Sequence, residues 1–244
     1  MKRLINYIPC FIIVVTLSFI AVSNIVHKNV SVLNEKNTTP LVVIDAGHGG
    51  QDGGAVADDG TQEQYINLDI ALKLNDSLTK KGYNCILTRK DNNSIHDDSA
   101  KTIREQKVSD IHNRLKIIED NPNCIFVSIH QNYYTQSQYS GAQVFYSPNI
   151  SLSIKLAQSI QASIVNTLQP ENNRQIKESG KSIYVLYNAK EPAVLVECGF
   201  LSNKEETEKL NNEQYRQQMA DCICEGIINY ITYNQNEVES KGES

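Results

Sequence analysis

Nine consecutive residues, Val42-Val43-Ile44-Asp45-Ala46-Gly47-His48-Gly49-Gly50, restrict what this chain can fold into more than any other stretch. The apolar run, bounded in front by Pro40, reads as a short buried strand. The chain then breaks into glycine, which lets the backbone turn sharply and pass close to something bound. His48 therefore sits exposed at a strand end, where open α/β sheets place their ligands. A phosphate-cradling loop is the rival reading, and it fails on spacing. Gly47 and Gly49 are present, but Asp52 occupies the third glycine position of G-x-G-x-x-G, and no G-K-[ST] follows. A lone histidine after a strand is commonly a hydrogen-bonded structural residue. What singles out His48 lies further along the chain.

From Pro40 onward, strand and helix patterns alternate. Glu63 opens a helix whose Ile66, Ile70, Leu74 and Leu78 recur at i+4, and Gly82 closes it. Residues 83–89 alternate like a strand, 91–101 form a polar excursion, and 103–120 read as a less sharply patterned helix. Residues 124–129 are a buried strand running into His130, and 142–146 are another. Ile150, Ile154, Ala157, Ile160, Ile164 and Leu168 mark a strong helical stripe. Residues 182–187 and 193–196 read as two further strands, and Tyr215, Met219, Ile223 and Ile227 as a last helix. The order predicts an α/β fold: a single domain with a twisted, mostly parallel sheet of about six strands and helices on both faces.

The 244 residues suit one domain with tails, and 40% hydrophobic residues are enough for a sizeable core. A net charge of −5 without basic runs excludes a nucleic-acid partner. The six cysteines form no C-x-x-C pair, which leaves a thiolate zinc knuckle or redox motif without support. Met1-Lys2-Arg3 precedes an apolar run over residues 4–26, the mark of export or anchoring. Its length is about that of a bilayer span, roughly 20 residues, while Ala21-Val22-Ser23 suits a cleavage site, so cleaved signal peptide and retained membrane anchor both stand. The expected organisation is segment 1–26, a polar linker 27–39, a catalytic domain 40–232 and a polar tail 233–244. The folded part is extracytoplasmic on either reading.

His48 and His130 each follow a strand directly, so parallel neighbours would bring both to one sheet edge, and Glu63 can return its carboxylate there. Two imidazoles and one carboxylate, with a fourth position left for water, are a catalytic Zn2+ ligand set. Glu197 ends an apolar strand and needs a reason to be there. A salt-bridged strand end is the plain alternative, as a helix N-terminus is for Glu63. His27, His96 and His112 have no such setting.

Three ordered segments, 43–50, Ser128-Ile129-His130-Gln131-Asn132 and 192–203, resemble the signatures of zinc-dependent N-acetylmuramoyl-L-alanine amidases. Leu87-Thr88-Arg89 and residues 141–146 fit too, and the resemblance spans about residues 40–231. It implies His48, Glu63 and His130 as zinc ligands and Glu197 as the catalytic carboxylate. The reaction implied is cleavage of the amide between the muramic lactyl group and the first alanine of the stem peptide. One departure is Gln131, where many relatives carry alanine. Asp45 and Asn132, beside ligands in sequence, are candidates for supporting hydrogen bonds. A bare catalytic domain behind an apolar segment is similar to the germination-specific, spore-cortex type, whose product feeds muramic δ-lactam formation. The expected partners are peptidoglycan glycan strands with stem peptides, a membrane-tethered accessory protein, and the membrane itself if the segment stays uncleaved. The alternatives are a vegetative autolysin, a zinc peptidase acting on stem peptides (no H-E-x-x-H is present), and an idle peptidoglycan-binding protein.

Overall fold

The computed structural model of the chain describes residues 39–242. Residues 1–26 and all but Thr39 of the expected linker lie outside the described residues. In chain order the elements are β1 (Val42–Ala46), α1 (Glu63–Lys80), β2 (Cys85–Leu87), α2 (Ile103–Glu119), β3 (Ile125–Asn132) and β4 (Gln143–Tyr146). Then come α3 (Leu152–Thr167), β5 (Lys177–Glu178), α4 (Tyr184–Asn188), β6 (Ala193–Phe200), α5 (Lys204–Asn211) and α6 (Glu213–Gly242).

The sheet order is β2-β1-β3-β6-β4-β5. β2, β1, β3 and β6 run parallel, and β4 lies antiparallel against β6. This is the mostly parallel α/β sheet expected, with helices on both faces. Side chains on a strand alternate between faces, and the alternation sorts the core into two. Val42, Ile44, Val127, Ile129, Val194 and Val196 face the larger core, which α1, α3 and α6 complete through Ile70, Ile160, Ile223 and others. Val43, Phe126 and Leu195 face a smaller core with Leu115 and Ile118 of α2 and Leu186 of α4. The central strands are buried on both faces, so they read as continuous apolar runs.

The same alternation positions the polar residues. Asp45 shares the face of Val43; Ser128 and His130 share that of Phe126; Glu197 shares that of Leu195. All four therefore look toward the α2/α4 side, near the C-terminal ends of parallel strands.

Three expectations need correcting. Residues 182–187 are not a strand: they lead into helix α4, which buries Leu186 in the smaller core. Their alternation and their Ile, Tyr and Val favour a strand locally, but packing overrides such preferences. The sheet edge beside β4 is taken instead by the two residues of β5. The polar stretch 233–244 is not a separate tail where it is described, because α6 runs on through Gly242. The third concerns α5, absent from the expected elements, whose start is capped by the Asn203 side chain accepting from the Glu206 N–H. Among the described residues no helix is long and apolar enough to cross a membrane.

Candidate metal centre and active site

His48, Glu63 and His130 meet at the sheet edge. Each offers one donor atom, and the three atoms lie within 4.8 Å of one another. His48 reaches this point through a left-handed backbone (φ 63°), a conformation uncommon outside glycine and concentrated at functional sites. Its Nε2 stands 3.3 Å from Glu63 Oε2, and His130 Nδ1 stands 2.9 Å from Glu63 Oε1. The two rings meet edge-on at 4.9 Å between centroids.

The loop leaves no room for a side chain beside them. A Cβ at Gly47 would lie 2.2 Å from His130 Nε2, and one at Gly54 (φ 70°) would lie 2.5 Å from Glu63 Oε2. The Glu63 carboxylate is fixed by donors from three segments. Oε1 accepts from the Gln131 N–H (3.0 Å) and Asn67 Nδ2 (3.1 Å), and Oε2 accepts from the Ala55 N–H (2.8 Å). Gln131 adds a donor to Asn67 Oδ1 through its side chain (3.1 Å), a bond that alanine at that position would lack.

Asp52, which the sequence offered only as an argument against a phosphate loop, holds His48 from behind. Its Oδ2 lies 2.9 Å from His48 Nδ1, and its Oδ1 lies 2.8 Å from Lys107 Nζ of α2. An ionised carboxylate only accepts, so Nδ1 carries the hydrogen and Nε2 is the nitrogen turned toward Glu63. This is how outer groups orient metal-binding imidazoles. The signal was the i, i+4 spacing from His48.

Charge binds the cluster together. Burial would lower the His48 imidazolium pKa, but its bonds with Asp52 and Glu63 outweigh that and raise it to about 9. Burial would likewise raise Glu63, yet the two imidazoles hold it far below the ordinary range. A donor set of two imidazoles and a fixed carboxylate, crowded around one point, fits a metal ion with an open coordination position.

Glu197 lies directly across the β3–β6 ladder from His130. Its Oε2 is buried and has no hydrogen-bond partner in the protein. Burial first, and then the negative charge of Glu63, push its pKa up to about 8. His48, His130 and Glu197 open onto a cleft of about 300 Å³ between the sheet and the α2/α4 side, walled by Phe126, Leu195, Ile183 and Tyr184.

Asp45 does not touch the donor atoms. It accepts from Thr88 Oγ1 (2.7 Å), Ser128 Oγ (2.5 Å) and Arg114 Nη1. Arg114 in turn donates to the carbonyls of Ala46 (2.8 Å) and His48 (2.8 Å), and to Asp110. Burial would raise the Asp45 pKa, but Arg114 and the two hydroxyls hold it below the usual range. Arg89 fastens the same turn through the carbonyls of Ala46 and Gly47. These two buried arginines, given no role from sequence, carry the loop that carries His48. Asn132, at the end of β3, contributes its carbonyl to the Leu201 N–H (2.8 Å). His96 lies beside Ser94 and His112 packs against Tyr184, both away from the cluster.

The family model for N-acetylmuramoyl-L-alanine amidase (Amidase_3) matches residues 42–229. The chain belongs to the N-acetylmuramoyl-L-alanine amidase family. Among such amidases, it is 32% identical over 192 residues to the germination-specific enzyme of Bacillus subtilis, covering 79% of this chain and 80% of that one. It is similar to the CwlD amidase of Clostridioides difficile, solved in complex with the GerS lipoprotein. There the identity is 39% and the TM-score 0.77, over 80% of this chain and 100% of the other. The amidase AmiC2 of Nostoc punctiforme is 29% identical with a TM-score of 0.68, over 79% of this chain and 97% of that one. The activity of the amidase is hydrolysis of peptidoglycan at the N-acetylmuramoyl-L-alanine bond.

Proposed function

We propose that the chain is a zinc amidase of the spore cortex, in which His48, Glu63 and His130 hold the ion and Glu197 moves the proton. The observation that carries the reading is the convergence of the three donor atoms with Glu197 facing them across one ladder pair. Zinc held there would supply Lewis acidity, making the attacking water more acidic and the scissile carbonyl more electrophilic. The chain's own residues do the rest. Glu63, held by its backbone and amide donors, and His48, held by Asp52, keep the ligand atoms in place without reorganisation. Glu197 takes the proton of the attacking water on its unpartnered oxygen and returns it to the leaving alanine nitrogen. A carboxyl group poised near neutral pH suits both halves of that task.

The cortex assignment is supported by the likeness to the germination-specific amidase. The domain 40–232 would act outside the cytoplasm, carried there by segment 1–26, on glycan strands that bear stem peptides. An accessory protein tethered to the membrane is supported by the CwlD neighbour, which was solved with a lipoprotein.

Deleting the gene in a spore-forming host tests the role. Muropeptide mass spectrometry should find cortex without muramic δ-lactam, because uncut stem peptides block lactam closure. Normal lactam would leave a general wall amidase. Purified protein that turns over stem peptides lacking muramic acid would instead make it a peptidase.

A further inference from the structure

The segment 131–143 runs from the last two residues of β3, just beyond His130, to the first residue of β4, and it contains no charged residue. It carries three exposed tyrosines: Tyr133, Tyr134 and Tyr139, at 48%, 50% and 43% exposure. Two of them belong to a continuous series of contacts that ends at the catalytic edge. Tyr134 meets Tyr139 edge-on at 5.2 Å, and Tyr139 lies over Phe200 at 6.4 Å with its plane tilted by 29°. The Arg174 guanidinium packs on the Phe200 ring at 4.8 Å and donates to Gln143 Oε1. Gln143 is the residue paired with Glu197 across the β4–β6 ladder. Phe200 itself stands three positions beyond Glu197 on β6, about 10 Å along a strand.

The backbone that carries the rings is held in place. The Tyr134 N–H donates to Ser202 Oγ (3.1 Å), and Asn203 Nδ2 donates to the carbonyls of Ser137 (2.9 Å) and Tyr139 (3.3 Å). The Gly141 N–H donates to Glu206 (3.0 Å). A surface ordered in advance loses little freedom on binding.

The chemistry of this ledge selects its occupant. Tyrosine offers an apolar face with a polar tip, suited to the C–H face and hydroxyls of a pyranose. Exposed Gln136 and Gln138 offer neutral amides beside it. In the polymer, the muramic carboxyl is tied up in the amide to be cut, so the glycan strand is uncharged while the stem peptide carries the charges. A ledge whose own segment carries no charge, linked to Glu197 through Phe200, Arg174 and Gln143, matches the strand.

We propose that Tyr134 and Tyr139 form a saccharide-binding ledge that holds the N-acetylhexosamine rings next to the muramic acid being cut, an inference that rests on the amidase reading above. The ledge adds affinity for long strands and nothing for a single-sugar substrate.

The test compares two substrates with the same scissile bond, long glycan strands with stem peptides and N-acetylmuramoyl-pentapeptide, using the zinc-loaded full chain. In Tyr134→Ala/Tyr139→Ala, KM for long strands should rise roughly 5- to 20-fold, from two aromatic contacts. Kinetics on the single-sugar substrate and zinc content should stay at wild-type values. Tyr139→Phe keeps the ring over Phe200 and should lose far less, and Tyr134→Ala alone, which leaves the Tyr139–Phe200 stack in place, should show part of the effect. Peptide-free strands should bind wild type and not the double variant, a measurement that needs no turnover. A wild type that cuts neither substrate therefore overturns the amidase reading, and strand binding still judges the ledge. Unchanged KM on long strands, or equal loss on both substrates, would overturn the ledge. So would unchanged strand binding together with lost association with a lipoprotein, which would make the face a protein-docking surface.

Discussion

Replacing Glu197 with glutamine should separate two properties that the wild-type side chain ties together, turnover and the stability of the metal-free protein. The carboxyl lies in the cleft wall with one oxygen buried and unpartnered. Burial, aided by the charge of Glu63, raises its pKa from 4.5 to about 8. Between those values the folded protein keeps a proton that the unfolded chain has released. This contribution to stability is complete below pH 4.5 and is lost as pH rises through about 8. At 1.36 kcal/mol per pH unit the window spans about 5 kcal/mol as a ceiling. Relaxation and water entry around an ionised carboxylate bring the expected change to about 2–5 kcal/mol. Glutamine keeps the shape and stays neutral, so this contribution becomes independent of pH. Urea unfolding of chelator-stripped proteins at pH 5, 7 and 9 reads it: the variant should match wild type at pH 5 and exceed it increasingly toward pH 9. Zinc restores a positive charge beside the carboxylate, so the advantage should shrink in the loaded protein. Turnover should fall roughly 10²–10⁴-fold with zinc retained. Stability curves that stay parallel across the pH range would refute the desolvation argument, and near-wild-type turnover would refute the catalytic one.

Other perturbations probe the frame around it. His48→Ala, Glu63→Ala and His130→Ala should each bring zinc content after dialysis close to background with the circular dichroism spectrum kept; full zinc in His130→Ala would remove that ligand. Gly47→Ala aims a methyl at a ring 2.2 Å away and should weaken zinc binding roughly 10–100-fold, as loss of a ligand's support does. Competition with a chromophoric chelator measures this, and unchanged affinity would show that the ring can move aside freely. Arg114→Met strands the buried carboxylates of Asp45 and Asp110 and should cost about 3–5 kcal/mol in urea unfolding; a loss below about 1 kcal/mol would mean that water replaces the guanidinium.

What the sequence made legible follows from burial. β1, β3 and β6 lie inside the sheet, so each begins as a largely apolar run, which ends at the Gly47-His48 break, at His130 and at Glu197, although β3 itself runs on to Asn132 and β6 to Phe200. Parallel pairing then brings those ends together, which is why a cluster dispersed over 150 positions could be assembled from the chain alone. Elements at the periphery gave weaker signals. Residues 182–187 carry strand-like residue types, and only the contact of Leu186 with the smaller core makes them lead into a helix. The α5 start was readable in Asn203 and Glu206, a capping pair overlooked among polar neighbours. Arg89 and Arg114 act largely through partners distant in sequence or through carbonyls, and no local pattern announces a carbonyl acceptor; Asp52 had only its i, i+4 spacing from His48.

The last helix also orders events in time. The larger core is closed by Met219, Ile223, Ile227 and Tyr230 of α6 packed over α1 and α3, and Arg216 reaches back to Asp69, 147 positions earlier (2.5 Å). While a ribosome or a translocation channel still holds the C-terminal thirty residues, the apolar faces of α1 and α3 have nothing to lie against. A chain emerging N-terminus first would thus stay pliable until α6 is available, and would then fold slowly, as contacts of long sequence separation require. The edge at which His48, Glu63 and His130 meet would then become rigid only once α6 has packed.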